Sequence, residues 1–554
     1  MSTTAASNEA AQPSARKLPR RAWFPLAWPL VLGGICLWAR YFFDDRGVPN
    51  SMTHGAVILT VIGWALWVIN RSGWGRVPRW TVAAALVGLL ASHYLQFSPW
   101  EVVNNGDVGI VDVRWRWAKP DRELKATVTK PTVALAWKTT PHDYPNFLGD
   151  GYWAEVQGVA LDPAWQSHPP EQKWKQRIGA GWSSFAVVGN YAVTQEQRDE
   201  DELVTCYDIR TGELQWTHAD HVRFDPRGGG SFGGVGPRAT PTIFDGRVYT
   251  HGATGILNCL EAATGERLWS HDTCAEFAVE NLIWGKAASP IIAGDLVVVS
   301  VGDAQANVLP KTSGKGNSLV AYNRLTGDVV WTAGDRRSAY ATPVLTTLAG
   351  VEQVLVVNED FITSHRAVSG EVLWEHPWPG KSDADASTSQ PVPVGDDRVF
   401  LSKGYGIGAE LIAVSRDDEE WQVETIWKRT LMKTKMCNVI IRDGYVYSLD
   451  EVNLECVELD TGNLQWKKRR QPSFGHGQVL LVGEHLLVLT EEGEVILSAA
   501  DPEEYREWGQ FQALEGVTWN NPTLVGSLLL LRNAEWAACF ELPLDNPGVA
   551  TPGL

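Results

Sequence analysis

TGERLW, from Thr264 to Trp269, recurs along this chain and decides its fold. Four further clear copies are TGELQW (Thr211–Trp216), TGDVVW (Thr326–Trp331), SGEVLW (Ser369–Trp374) and TGNLQW (Thr461–Trp466). Degenerate copies end at Trp174, Trp427 and Trp508, and successive tryptophans of the series are 39 to 62 residues apart. A period of about 40 to 45 residues with insertions is typical of a β-propeller.

Each copy has the pattern of one four-stranded antiparallel blade. In the copy that ends at Trp269, three short apolar runs separated by turns precede the final strand. Two of its turns, Asp245-Gly246 and Thr264-Gly265, supply the positive φ that tight hairpins require. The sequence therefore predicts that every repeat folds into a blade whose last strand carries the tryptophan.

The two ends of the repeat region complete each other. Trp174 lies on a lone strand near the start, whereas residues 520–542 supply three strands without a closing tryptophan. Joining them in one blade removes open sheet edges, which otherwise promote aggregation. We therefore predict an all-β, eight-bladed propeller over residues 171–545, with a lead-in at 101–170 and a tail at 546–554.

The repeated tryptophans and several cysteines are predicted to pack between blades. The blade tryptophans are Trp174, Trp216, Trp269, Trp331, Trp374, Trp427, Trp466 and Trp508. Cys206, Cys259 and Cys456 each precede the glycine of a Thr-Gly turn by six residues. One strand position that repeats in different blades indicates a packing position for a small apolar side chain rather than a disulfide framework.

The repeat also resembles a known family. LNCLEAATGERLW (Leu257–Trp269) and CVELDTGNLQW (Cys456–Trp466) are similar to the propeller repeat named after pyrroloquinoline quinone (PQQ). DYPNFLGDGYW (Asp143–Trp153) resembles the segment that precedes such propellers. Because quinoprotein dehydrogenases and non-enzymatic scaffolds such as the outer-membrane assembly lipoprotein share this repeat, the resemblance implies a fold and leaves two kinds of function open.

The first hundred residues differ in character from the rest. A tail at 1–21 precedes three uncharged apolar stretches, Ala22–Ala39, Val48–Asn70 and Trp80–Trp100. Their lengths predict a membrane anchor of three transmembrane helices over residues 22–100. The distribution of basic residues places the N-terminus in the cytoplasm, so the propeller is expected on the periplasmic side of the inner membrane, as part of a multi-pass protein.

Charge excludes one class of partner. Residues 1–100 contain nine Lys or Arg and three Asp or Glu, whereas the remaining residues contain 39 and 62, a net charge of −23. A domain this acidic does not favour nucleic acid.

Long insertions point to one face of the predicted propeller as the binding face. Most of them join a tryptophan strand to the next innermost strand, and loops that elaborate one face of a rigid scaffold usually carry binding. Polar residues at or just before the innermost strands would surround the central channel on this face. They are Ser183, Arg238, Lys286, Tyr340, Gln390, Asn438, His476 and Asn521.

From this set we take Arg238, Lys286, Asn438, His476 and Asn521 as candidate binding residues. Arg238 and Lys286 would hold an anion, and His476 would titrate near neutral pH. The alternative is that these side chains satisfy backbone groups and trapped water where the strands converge. For Trp182, Trp284 and Trp519, which also precede innermost strands, ligand contact and packing are both open.

Two loop segments have only superficial likeness to ligand motifs. Residues 227–234 are rich in glycine but lack the Gly-Lys-Ser or Gly-Lys-Thr ending of a phosphate-binding loop. Asp383-Ala384-Asp385 lacks the glycine and distant glutamate of a calcium loop, so no metal site is assigned.

Two functions remain for comparison. A quinoprotein alcohol or sugar dehydrogenase would bind PQQ with calcium. The resemblance to alcohol-oxidising members implies an adjacent pair of cysteines, but no two of the seven cysteines are adjacent. No CxxCH haem motif occurs either. A membrane-anchored binding or scaffold module needs neither feature. The sequence therefore favours a module without a cofactor that contacts a protein or envelope component through its insertion-rich face.

Overall fold

The computed structural model describes residues 24–42, 47–71, 75–94, 100–104, 110–115, 124–127, 129–131, 133–226, 233–302, 317–380 and 386–545. The chain forms two compact units, Met1–Ala118 and Lys119–Leu554. The two predicted tails, most of the glycine-rich segment, the insertion at 303–316 and the Asp383–Asp385 segment lie outside the described residues.

The first unit contains three helices and a hairpin. The helices are Phe24–Phe42, Gly47–Arg71 and Arg76–Tyr94, and the hairpin pairs Trp100–Asn104 with Ile110–Trp115. Among the described residues one helix, through its segment Val48–Asn70, is long and apolar enough to cross a membrane.

The prediction of three transmembrane helices is therefore wrong in number. The apolar part of the first helix is limited to Ala27–Arg40. The third helix, Arg76–Tyr94, is long enough for a bilayer, but Arg76 and Arg79 in its first turn and His93 near its end leave it less apolar than a membrane span requires.

The second unit is an eight-bladed β-propeller of four-stranded antiparallel blades. We number the blades 1 to 8 from the innermost strand that comes first in the chain. The innermost strands are Ala186–Val188, Thr242–Phe244, Ile291–Ala293, Val344–Leu348, Val392–Val394, Ile440–Arg442, Gln478–Val482 and Thr523–Val525. The second strands are Tyr191–Arg198, Arg247–His251, Leu296–Ser300, Val351–Val357, Arg398–Lys403, Tyr445–Asp450, His485–Leu489 and Leu528–Arg532.

The outer half of each blade follows the same order. The third strands are Asp201–Asp208, Ile256–Glu261, Leu319–Asn323, Phe361–Arg366, Gly408–Asp417, Asn453–Glu458, Glu494–Ala499 and Trp536–Glu541. The outer strands are Leu214–Asp220, Arg267–Asp272, Val329–Ala333, Val372–Pro377, Glu420–Arg429, Leu464–Lys468, Glu507–Gln512 and Glu171–Arg177. A short helix, Thr273–Phe277, follows the outer strand of blade 2.

The ring closes by sharing blade 8 between the two ends of the repeat region, as the sequence predicts. The early strand Glu171–Arg177 pairs with Trp536–Glu541 in antiparallel register. Arg532 of blade 8 is fully buried and fastens this junction, because its guanidinium donates to Thr194 Oγ1 and the Gln195 carbonyl of blade 1 at 2.7 and 2.9 Å. Its Nη2 also donates to the Gly179 carbonyl at 2.9 Å.

The repeated tryptophans pack one blade against the next. Trp216 is fully buried, and its Nε1 donates to the carbonyl of Ala262 in blade 2 at 2.9 Å. A methyl group added at Gly265 would lie 2.5 Å from Cε3 of Trp216. The glycine of the Thr-Gly turn is thus required twice, by its φ of 72° and by the indole ring of the preceding blade.

Four cysteines lie directly opposite repeat tryptophans on the neighbouring strand. Cys206, Cys259, Cys456 and Cys539 face Trp216, Trp269, Trp466 and Trp174 across their strand pairs. All seven cysteines of the chain are free.

Trp508 corrects the predicted set of blade tryptophans. In blade 7 Gly509, rather than Trp508, pairs with Leu497 at the register position of the repeat tryptophan. Trp508 is 36% exposed. The buried Trp165 of the lead-in packs over Gly509 and edge-on to Phe511 at 5.6 Å, so an indole from outside the repeat lies against this strand.

The lead-in segment also forms hydrogen bonds with the propeller at two other places. Glu155–Val156 adds a parallel fifth strand to the inner edge of blade 7. Further upstream, Thr129 lies along the outer strand of blade 1: its carbonyl accepts from Thr217 N at 2.9 Å and its own N–H donates to Thr217 Oγ1 at 2.8 Å.

Candidate binding face

Aromatic side chains from several blades line the face that carries the connections to the innermost strands. We call this set the aromatic arc, and its members are Trp519, Trp182, Trp284, Tyr340 and Tyr405. The first four precede the innermost strands of blades 8, 1, 3 and 4 by four to seven residues, and Tyr405 lies in the second turn of blade 5. Tyr340 is buried, whereas the other four rings are partly exposed.

Contacts between neighbouring blades connect one half of the arc. The rings of Trp182 and Trp519 stand 4.6 Å apart. Trp182 Nε1 donates to the Gly233 carbonyl at 2.5 Å, and Trp519 Nε1 donates to Glu491 Oε1 at 2.7 Å. Both indole nitrogens therefore have fixed partners, which orients the rings.

The other half of the aromatic arc, which starts with Trp284, lies next to Gly233. A methyl group placed there would lie 3.1 Å from Cδ1 of Trp284. The ring of Trp284 is 5.4 Å from that of Tyr340, and both pack with Tyr405 in one cluster. The ammonium of Lys435 lies 5.3 Å from the centre of the Tyr405 ring.

Arg238 lies against the arc and is the predicted candidate that fits a binding role best. Its guanidinium donates to the carbonyls of Gly236, Gly233 and Gly234 at 2.6 to 3.0 Å and lies 5.1 Å from the centre of the Phe224 ring. Burial lowers the pKa of Arg238 to about 10, so the side chain stays cationic at neutral pH. None of the described carboxylates forms an ion pair with it within 4.0 Å.

Lys286 has a framework role instead. The side chain is 2% exposed, and its ammonium donates to the carbonyls of Val301 and Gly302 at 2.7 and 3.2 Å. Lys403, which the sequence reasoning did not select, is held in the same way by the carbonyls of Glu359 and Trp378 at 2.9 and 2.7 Å. These two cations stabilise loop backbone.

Asn438 belongs to hydrogen bonds that link the starts of successive blades. A backbone N–H at the start of one blade donates to a side-chain oxygen at the start of the next. The links run from Ser184 to Thr240, Thr240 to Ser289, Ser289 to Thr342, and Gln390 to Asn438, at 2.9 to 3.1 Å. For Asn438 the arrangement matches the alternative interpretation, in which polar side chains satisfy the converging backbone.

The remaining two candidates lie at the starts of blades 7 and 8. His476 is 1% exposed, and its backbone N–H donates to Glu491 Oε2 at 3.4 Å. Asn521 is partly exposed and adjoins the buried Asn520, whose amide donates to the Ser183 carbonyl at 2.9 Å. The five candidates therefore do not converge on one ligand through described contacts.

The sequence reasoning missed charged residues that lie within two residues of the end of a second strand. Buried examples are Glu196, Glu359, Lys403, Asp450, Glu451 and Glu491. Lys435 and Glu451 form an ion pair of 2.8 Å in which both side chains are almost fully buried. The available signal was a charged residue immediately after an apolar run, as in Leu449-Asp450-Glu451 and Leu489-Thr490-Glu491.

Donor chemistry tests whether PQQ and calcium fit this site. Across the described residues, no three His, Cys, Asp or Glu side chains are grouped so that they could hold a metal ion. Gln390 Oε1, Gln478 Oε1 and Asn520 Oδ1 are buried acceptors without a hydrogen-bond partner in the described part of the chain. Such amide oxygens suit water in a polar channel, and the described residues do not supply the carboxylate set that the alternative function would need for calcium.

Comparison with known proteins agrees with the repeat and the blade geometry. A family model described as outer membrane protein assembly factor BamB matches residues 200–468. The propeller is PQQ-like. The resemblance inferred from the repeat is thereby confirmed.

A curated relative of this PQQ-like propeller is an enzyme. Quinoprotein alcohol dehydrogenase PedH of Pseudomonas putida KT2440 is 27% identical over 214 residues, which are 35% of this chain and 33% of PedH. The chain thus spans about a third of the length of that relative.

Solved structures share the fold at low sequence identity. Quinohemoprotein alcohol dehydrogenase ADHIIG of Pseudomonas putida HK5 has a TM-score of 0.52 at 12% identity and covers 75% of this chain and 81% of its own. BamB from Moraxella catarrhalis has a TM-score of 0.46 at 16% identity and covers 67% of this chain and 100% of its own.

Proposed function

We propose that this protein is a membrane-tethered PQQ-like propeller that acts as an extracytoplasmic binding or scaffold module, with its aromatic arc in contact with a protein or envelope component. The observation that carries the proposal is the arc itself, five aromatic rings contributed by blades 8, 1, 3, 4 and 5. Trp, Tyr and Arg are the residue types that dominate binding energy at protein interfaces. Arg238 places a cation beside them.

The arc suits recognition because its rings are oriented before a partner arrives. The indole nitrogens of Trp182 and Trp519 are already hydrogen-bonded, so binding would immobilise few additional side-chain torsions. Partly exposed ring faces then offer apolar area to a protein, or stacking surfaces to a sugar polymer.

The helix segment Val48–Asn70, which is long and apolar enough to cross a membrane, supports the tether. Basic residues precede the helices at Arg16, Lys17, Arg20 and Arg21, which favours a cytoplasmic N-terminus. A single crossing leaves the propeller on the side of the membrane opposite the N-terminus, as the three crossings predicted from the sequence would also do. In a two-membrane bacterium that side is the periplasm.

The second candidate function is a PQQ-dependent alcohol or sugar dehydrogenase, and the similarity to PedH favours it. Under this function Arg238 would bind a carboxylate of the cofactor, which would supply the oxidising quinone. Because Arg238, Lys286 and Lys403 already donate to backbone carbonyls, each would have to break such hydrogen bonds to contribute charge.

A titration and a crosslinking experiment separate the two. The full-length protein in detergent is titrated with PQQ and Ca²⁺ while its tryptophan fluorescence is followed. We expect no saturable binding in the micromolar range, and saturable micromolar binding would favour the dehydrogenase.

In parallel, a photoreactive phenylalanine analogue replaces Trp284 or Trp519 in cells, with Trp508 on an outer strand as the matched control. We expect the same crosslinked partner from both arc positions and none from the control. Equal crosslinking from all three positions, or none from the arc, would contradict the proposed binding face. Arg238→Glu should reduce crosslinking from both arc positions.

A further inference from the structure

The outer strands are the edges of the blades, and one of them differs in composition from the other seven. An outer strand presents unpaired backbone N–H and C=O groups, and proteins usually protect such edges with charged side chains. Seven outer strands contain at least one Asp, Glu, His, Lys or Arg. The outer strand of blade 3, Val329–Ala333 with sequence VVWTA, contains none.

Its exposed side chains are apolar or neutral and β-branched. Val329 and Val330 are 41% and 50% exposed, and Thr332 is also exposed. Trp331 points inward, where its Nε1 donates to the Ala367 carbonyl of blade 4 at 3.2 Å. The strand is therefore fixed on its inner side and presents Val and Thr outward, the residue types that pack well in a β-sheet.

The same molecule already uses an outer edge in this way. On blade 1, the lead-in residues Thr127 and Thr129 lie along the outer strand and exchange hydrogen bonds with Thr217 at 2.8 and 2.9 Å. That edge is occupied by a segment of the chain itself. Among the described residues, no further strand is added beyond Val329–Ala333 in blade 3.

We propose that the outer strand of blade 3 binds an extended segment of a partner protein by strand addition. Val330 lies in a β-bulge, so backbone hydrogen bonds along Trp331–Ala333 would supply affinity, and apolar side chains of the segment would pack on Thr332 and on the exposed Val330. This inference rests on the proposed binding function and adds a second contact surface, distinct from the aromatic arc.

Charge selects the kind of segment. Asp328 directly precedes the strand and Asp335 follows it closely. The cations Arg336 and Arg337 that come next are paired with Glu375 and with Glu359 and Asp360, and residues 101–554 carry a net charge of −23. Like charge disfavours a second copy of this chain. The partner segment is therefore apolar and β-branched in its centre, with Lys or Arg at its ends.

The probe is a fluorescein-labelled peptide, Lys-Val-Thr-Val-Thr-Val-Lys, titrated with the full-length protein in detergent and followed by fluorescence anisotropy. Val329→Lys and Val330→Lys are the test variants. The matched control is Val372→Lys, because Val372 begins the outer strand of blade 4 and is 42% exposed but shares its strand with Glu375. Circular dichroism verifies that each variant is folded.

We expect saturable binding by the wild type and about fivefold weaker binding for each test variant, from the unfavourable charge opposite the added strand. The control should bind as the wild type does. Absent binding, or equal weakening by Val372→Lys, would overturn the proposal.

Sedimentation analysis tests the competing occupant. A wild-type dimer that Val330→Lys dissociates would show that a second copy of the chain occupies the edge, and would overturn the choice of partner. Crosslinking from the aromatic arc that persists in Val330→Lys would leave the proposed function intact even if strand addition failed.

Discussion

Truncation of a fully buried blade tryptophan should destabilise the propeller far more than truncation of Trp508. Trp216 is 0% exposed and packs with Val188, Val248 and Leu260 from blades 1 and 2. Trp216→Ala removes the ring and leaves a cavity, a change that costs about 3–5 kcal/mol in protein cores. It also removes the donor to the Ala262 carbonyl, which adds about 1 kcal/mol.

The expected loss of stability can be measured as a fall in the melting temperature of the unit Lys119–Leu554. Its unfolding entropy is about 0.9 kcal/mol per degree, from roughly 2 cal/mol per degree for each residue. A loss of about 4 kcal/mol should then lower the melting temperature by about 4–5 °C. Far-ultraviolet circular dichroism is the suitable assay, because tryptophan fluorescence changes with the substitution itself.

Trp508→Ala is the matched control. Trp508 is 36% exposed and sits one residue before the register position of the repeat tryptophan. We expect its truncation to lower the melting temperature by about 1 °C or less, since exposed substitutions usually have small effects. If both variants shifted the melting temperature equally, or Trp216→Ala left it unchanged, the proposed inter-blade role of Trp216 would be refuted.

Two further predictions concern stability. Gly265 and Gly246 have nearly the same φ, 72° and 71°, but only Gly265 faces Trp216. Gly265→Ala should therefore lower the free energy of unfolding by about 1–3 kcal/mol more than Gly246→Ala in thermal melts. Equal losses of stability would show that φ alone matters. Burial raises the pKa of Glu202 from 4.5 to about 7, so the neutral carboxyl contributes stability below about pH 4.5 that is lost as the pH rises through 7. Glu202→Gln should therefore match the wild type in stability near pH 5 and be more stable by about 2–3 kcal/mol at pH 8. A variant that is less stable than the wild type at pH 8 would contradict a raised pKa of the buried carboxyl.

The fold could be predicted because the repeat combines requirements that are local in sequence. Thr-Gly fixes a turn, and a tryptophan four residues after the glycine fills the space between blades, as Gly265 and Trp269 illustrate. Trp508 shows the limit of such reasoning. The degenerate copy in blade 7 has no Thr-Gly turn, and Gly509 beside Trp508 leaves room for Trp165, a residue from a segment outside the repeat.

The anchor shows a second limit. Apolar length in the sequence identified all three helices, but helix boundaries depend on where the chain turns. The third helix begins at Arg76 and ends at Tyr94, whereas the apolar stretch was read from Trp80 to Trp100. The described helices therefore support one crossing.

The candidate site was predicted in part. The structure places Arg238, Trp182, Trp284 and Trp519 before the innermost strands, and a binding role for them stays a prediction. The ring contacts were not predictable, because the pairs Trp182–Trp519 and Trp284–Tyr340 join residues that are far apart in sequence. Glu410 illustrates this at another place: burial opposes its ionisation, but His376, Lys428 and Thr425 from neighbouring strands outweigh burial and lower its pKa to about 2.

The distribution of cations around the channel favours a binding module over an oxidoreductase. PQQ is a tricarboxylate, and a site for it needs several cations that can face the ligand. Lys286 and Lys403 stabilise loop carbonyls, and moving either would leave buried acceptors without donors, at a cost of about 1–3 kcal/mol for each acceptor. Lys435 is engaged with Glu451. Among the cations that the structure describes, Arg238 lies beside partly exposed indole rings, and under the proposed function it would help to orient a protein or polysaccharide partner.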